Sequence, residues 1–204
     1  MALSILGNSS NAIPNSAFIS GAIVNSAVGY NVSISSKVFS SYNVYEEVPG
    51  QLRAIITPKA VGNIMVLHAH LHWGGWYDRS SVDIGVNFRV RKSYDSGSTW
   101  VEVGPSQIGT SSYITGSAAG YAPAACHTGC YKYNKGNTNF SNEKDSLLVH
   151  DIVTNATSTI YAVHWGCGYA PTSRTIYWNR GVNGVAQMYN TVHTCTLTAT
   201  EVKR

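Results

Sequence analysis

Apolar and polar positions alternate with a period of two along most of this chain, and the sharpest instance is the stretch 63–75, NIMVLHAHLHWGG. Met65, Leu67, Ala69, Leu71 and Trp73 fall on one face of the strand it predicts, and Ile64, Val66, His68, His70 and His72 on the other. The first is a core face. The second begins apolar and turns into a ladder of three imidazoles, so the strand leaves one environment and enters another. A strand needed on both faces sits centrally in a sheet or at a subunit contact.

The same period recurs on both sides of it. VFSSYNVYEEV is aromatic and β-branched, Pro49-Gly50 marks a turn, and QLRAIITP is a strand stopped by Pro58. In SVDIGVNFRVRKS, Ile84, Val86, Phe88 and Val90 point inward, with Gly85, Asn87, Arg89 and Arg91 outward. A hairpin turn around Asp95-Ser96-Gly97 returns into a strand carrying Trp100, Val101 and Val103. Further on come DSLLVHDIV, a TNATS turn, and TIYAVHWGCGY, which sets Tyr161, Val163, Trp165 and Cys167 against Ala162 and His164. TIYWNRG is a short strand, and in the final VHTCTLTATEVKR, Cys195, Leu197 and Ala199 alternate with Thr194, Thr196, Thr198 and Thr200. No helix has a convincing start, stripe and stop. Eight to ten short strands with regular turns predict an all-β fold, a sandwich or a jelly roll.

Two stretches break the pattern. Residues 1–37 mix Ser, Asn, Ala and Gly with single aliphatics and cannot build a core of their own. They read either as an extended N-terminal attachment arm that gains order by packing on something else, or as a loose terminus. Residues 38–204 then form the jelly-roll domain, with an insertion around 105–145 that is rich in Tyr, Gly, Ser and Asn. Long insertions in compact β domains are commonly functional. Tyr113, Tyr121, Tyr131 and Tyr133, with Trp76 and Tyr77 in the loop after the His ladder, suit a recognition surface, because rings supply contact area at low entropy cost. The plainer alternative is that these rings pin a long loop to the sheet.

Composition narrows the function classes. Of the 204 residues only 12% are charged, and the net charge of +4 comes from isolated Lys and Arg without a run. That leaves no nucleic-acid footprint. The N-terminal stretch has no basic start and its apolar residues are interrupted by Asn, Ser and Pro, so it reads as neither a secretory signal nor a membrane span. Cys126, Cys130, Cys167 and Cys195 are too few for a disulfide framework. The CHTGC spacing of Cys126 and Cys130 lets them stay thiols, bridge locally, or share a metal with His127 if a further ligand came in. The chain lacks GxSxG, HExxH and a phosphate-binding Gly-rich loop, and its ten acidic residues include no coupled pair within one motif. The expectation is a protein that is not an enzyme and has no resident cofactor.

The succession QLRAIITPKAVGNIMVLHAHLHW, VNFRVRKSYDSGSTW, VTNATSTIYAVHW, IYWNR and TCTLTATEVKR resembles the fibre-type jelly-roll domains of tailed bacteriophages of marine and freshwater bacteria. The resemblance covers roughly residues 42–202. It departs from the family at the His ladder, where Val, Leu and Thr are usual, and at the Tyr-rich insertion. It implies a fold similar to the tumour-necrosis-factor and complement globular heads and assembly as a homotrimer. It also implies a virion location, attachment to other virion proteins through the arm, and binding of a host cell-surface glycan or protein. A short tail fibre or receptor-binding protein is the leading expectation, a capsid decoration or head-fibre protein the runner-up. A glycan-cleaving tailspike would need a cleft with paired carboxylates that the sequence does not display. Within a threefold assembly the ladder His68, His70 and His72 would place imidazoles around the axis, where they could hold an octahedral transition-metal ion. A solvent-facing polar stripe and a hydrogen-bonded interface titrating near neutral pH are the competing readings.

Overall fold

The computed structural model describes residues 19–39, 44–75, 84–103, 128–132, 143–169, 174–179 and 193–204, with backbone alone at 75, 84, 85, 128–132, 143, 167–169 and 174. The described residues form twelve strands. They are β1 (Ile23–Asn31), β2 (Ser35–Phe39), β3 (Glu46–Glu47), β4 (Arg53–Ile56), β5 (Ile64–Gly75) and β6 (Ile84–Ser93). After them come β7 (Val101–Glu102), β8 (Thr128–Lys132), β9 (Glu143–Ile152), β10 (Thr159–Tyr169), β11 (Arg174–Trp178) and β12 (Cys195–Val202). One sheet runs β1-β12-β5-β11-β2 with β9 on the other edge of β5. The second runs β3-β10-β6-β7, with β4 also on β10 and β8 also on β6. Every pairing is antiparallel, and the result is a jelly-roll sandwich. Among the described residues no helix is long and apolar enough to cross a membrane.

The expected centre of the chain is the centre of the first sheet. β5 bonds along one edge to β12 and then β11, and along the other to β9. Met65, Leu67, Ala69, Leu71 and Trp73 are all at most 3% exposed and face the second sheet. Opposite them stand Val86, Phe88 and Val90 of β6 and Val163 and Trp165 of β10, all fully buried. Phe39, Trp165, Trp178 and Phe88 make a chain of tilted and edge-on rings with centroids 5.3, 5.9 and 6.3 Å apart in succession, within the range where aromatic quadrupoles attract.

Two results go beyond the sequence pattern. Inside the stretch 1–37, residues 23–31 form β1 and pair with the last strand, Ile23 opposite Val202 and Asn31 opposite Cys195. The partner on which this segment gains order is the jelly roll itself, while residues 1–18 lie outside the described residues. Gly29 makes the fit possible: a Cβ there would stand 1.9 Å from the Arg53 carbonyl oxygen. Inside the 105–145 insertion, residues 128–132 form β8, with Tyr131 opposite Gly85 of β6.

Candidate functional site

The two outward faces of the sandwich differ in chemistry. On the second sheet the outward positions carry charge, and among the described side chains each charge is met. Arg53 donates through Nε and Nη2 to both oxygens of Glu47, at 2.6 and 2.7 Å, and this two-pronged contact raises its pKa. Arg89 and Arg91 converge on Oε1 of Glu102 at 2.7 and 2.6 Å. Burial pushes Glu102 up, but the two guanidiniums outweigh it and hold its carboxyl below the ordinary range. The Arg89 guanidinium lies 3.5 Å from the Tyr45 ring centroid, and Trp100 packs edge-on against His164 at 4.6 Å. Glu46 and Glu47, which have no evident partners in the sequence, are thereby placed: Glu46 pairs with Lys37 and Glu47 with Arg53. Asp151, equally unpartnered in the sequence, pairs with Lys92 between the sheets.

The outward face of β1-β12-β5-β9 is the opposite case. Register sets Tyr30, Val28 and Ser26 beside Thr196, Thr198 and Thr200, and these beside His70, His68 and Val66. Ser146, Leu148 and His150 complete the rows on β9. Tyr30 is 67% exposed, Leu148 72%, and Val28 and Ile152 nearly half. Among the described side chains, the carboxylates of these strands point away: Asp151 and Glu201 stand opposite Met65, and Asp145 opposite Leu71, all core positions. Among the described residues, Lys144, at the end of β9, is the one permanent charge in these rows. A broad strip of aliphatic, Thr, Tyr and His side chains without ion pairs is the composition of a protein contact surface.

The three imidazoles of the ladder share a face but not an environment. His68 and His70 are exposed, and their rings lie 4.4 Å apart at 68°. His72 is 2% exposed and packs edge-on against His193 at 4.3 Å. Its backbone is held by Asn179, which donates to its carbonyl at 2.9 Å, and by the Cys195 sulfur, which accepts from its N–H at 3.2 Å. Cys195 is a free, buried thiol whose pKa burial raises to about 11. Cys126 and His127 lie outside the described residues, and of Cys130 and Cys167 only the backbone is described. Within a single chain the described residues hold no group of three or more His, Cys, Asp or Glu able to bind a metal ion.

Of the expected binding residues, Trp76, Tyr77, Tyr113, Tyr121 and Tyr133 lie outside the described residues, and Tyr131 is placed by its backbone in β8. The strands bounding the Trp76 loop do fix one thing. Gly75, Glu143, Gly85, Tyr169 and Lys132 all stand toward one end of the sandwich. Ile23, Val202, Ile64 and Ile152 stand at the other, where Gly21 donates to the Lys203 carbonyl at 2.8 Å. The loop 76–83 and the segment 133–142 thus leave from the end opposite the two described chain ends.

No family model and no curated protein matches the chain. Among solved structures it is similar to Eiger TNF from S. frugiperda, at 6% identity over 88% of this chain and 93% of that one, with a TM-score of 0.36. A likeness of that degree adds nothing to the reading of the site.

Proposed function

We propose that this chain is a non-enzymatic structural protein of a phage virion, a short tail fibre or receptor-binding protein that works as a homotrimer. The observation that carries the assembly is the outward face of β1-β12-β5-β9, whose described rows hold a single permanent charge, Lys144 at the end of β9, next to an opposite face whose described charges are already paired within the chain. A face of this kind meets a second copy of itself with little like-charge repulsion, and its aliphatic and tyrosine side chains gain from leaving water. The phage setting rests on the sequence resemblance. The end-to-end arrangement suits it, because β1 begins at one end of the sandwich, next to an attachment arm at 1–18, and β5 runs out at the other, next to Trp76 and Tyr77.

The experiment is imaging of intact particles from the source with a gold-labelled antibody raised against the insertion. Label at the tail or its tip is the expected result. Label spread over the capsid would make this a decoration protein, and particles that carry none would overturn the virion reading.

A further inference from the structure

We infer that the end of the sandwich carrying the described chain ends is itself a docking surface, which seats the jelly roll on an acidic, aliphatic surface of a second virion protein. The inference rests on the virion reading above and adds to it the place and the chemistry of attachment.

The last row of the first sheet at this end is aliphatic on all four strands. Register sets Ile23 beside Val202, Val202 beside Ile64 and Ile64 beside Ile152, and three strand spacings of about 4.8 Å make the row about 14 Å wide. Two turns extend it past the sheet. Ile19, whose carbonyl accepts from the Ala22 N–H, is 81% exposed, and Val61, in the turn before β5, is 63% exposed. Large aliphatic side chains left open together in one place mark a contact with another molecule. The platform beneath them is fixed. Gly21 donates to the Lys203 carbonyl and Lys203 to that of Ala22, while Gly62 and Asn63 exchange hydrogen bonds with Val153. The N–H groups of Lys59 and Ala60 and the Asn63 side-chain amide donate to the buried Glu201 carboxylate.

Charge decides between occupants. Lys59 shares the turn of Val61, Lys203 lies beside Ala22, and the Arg204 N–H donates to the Asn63 side chain, so three cations border the aliphatic row. The side-chain carboxylates of these strand ends turn inward, Glu201 to the turn and Asp151 to Lys92. Neither Lys59 nor Arg204 pairs with a carboxylate among the described residues. Residues 1–18 hold no charged side chain, so they would cover the aliphatics and leave the cations unanswered. A second copy presenting the same end would set cation against cation. The row consists of Ile and Val, without the Trp and Tyr rings that settle proteins at a membrane surface. A protein surface that combines aliphatic side chains with Asp or Glu answers both features.

The test adds the purified full chain to particles of the source assembled without it and measures the chain that sediments with them at 50 and 300 mM NaCl. The expected result is binding that weakens at least fivefold at the higher salt, at least tenfold in Val61→Asp and in Lys59→Glu/Arg204→Glu, and not at all in Ile55→Asp, exposed on the other sheet. Binding equal to the parent's in both end variants would overturn the inference and leave the virion reading standing, whereas a parent that binds no particle would overturn both. Loss confined to Val61→Asp, without salt dependence, would overturn the acidic character of the partner. Phosphatidylglycerol vesicles that take up the parent and not the end variants would make the partner a membrane, and a trimer that Val61→Asp converts to monomer would make this end a contact between copies; either result overturns the inference. The substituted side chains are exposed or half-exposed, so the variants are expected to melt within about two degrees of the parent, which separates loss of docking from loss of fold.

Discussion

At the scale of single residues, the contacts that tie the two sheets together are those a strand pattern cannot display. Lys92 of β6 reaches Asp151 of β9, Nζ to Oδ2 at 2.6 Å, with both side chains at most 10% exposed. The Tyr161 hydroxyl donates to the same oxygen at 3.3 Å. Burial alone would push the Lys92 ammonium down, but Asp151 outweighs it and the pKa ends above its ordinary value. Asp151→Ala should therefore leave a buried, unanswered charge and cost about 3–5 kcal/mol in urea unfolding, most of it recovered in Lys92→Met/Asp151→Leu. His164 makes a second prediction. Burial, assisted by the nearby Arg91, lowers its pKa from 6.5 to about 4. The unfolded chain takes up this proton near pH 6.5 and the folded chain only near 4. The stability is fully present above 6.5 and is lost as pH falls to 4, by about 3 kcal/mol. Urea midpoints at pH 7 and 4.5 should diverge in the parent and converge in His164→Gln. Alternation shows that residues 89, 92 and 164 lie in strands, but it is silent about partners 13 to 73 positions away.

At the scale of elements, the reading of β5, β6, β9 and β12 from sequence survives because each carries a run of apolar residues at its inward positions, Leu147 and Val149 on β9 and Cys195, Leu197 and Ala199 on β12 among them, and that is the signal alternation carries. β1 has no such face: Ser26, Ala27, Val28 and Gly29 are small, and what places them is the close approach of Gly29 to Arg53, a tertiary requirement. The His ladder was half legible. Its placement on one face follows from the period of two, whereas the burial of His72 depends on His193, more than a hundred residues on. The exposed rows of β9 and β1 allow a direct trial of the contact surface. Leu148→Arg puts a charge at a position 72% exposed, so the isolated subunit should keep its stability within about 0.5 kcal/mol. Sedimentation should nevertheless show the trimer replaced by monomer. An unchanged sedimentation coefficient would remove this face from the assembly.

At the scale of the whole molecule, all-β character and the jelly roll were readable because nearly every long segment reports the same period, and no local preference conflicts with it. The surfaces meant for other molecules were not readable in the same way, since exposure to a partner and exposure to water look alike in a sequence. One feature of the architecture bears on how such a protein would carry load. The described chain ends lie side by side at one end of the sandwich, on the adjacent strands β1 and β12. Pulling those two ends apart loads their hydrogen bonds one after another, like a zip. Pulling between the same end and the opposite one, where β5 gives way to the loop 76–83, runs along the strands. Antiparallel hydrogen bonds stand perpendicular to the strands, so β12, β5 and β9 would resist that pull in shear with many bonds strained at once. A subunit anchored at one end and gripped at the other is thus oriented along its mechanically strongest axis, and its weak axis is loaded only if both termini are tethered apart.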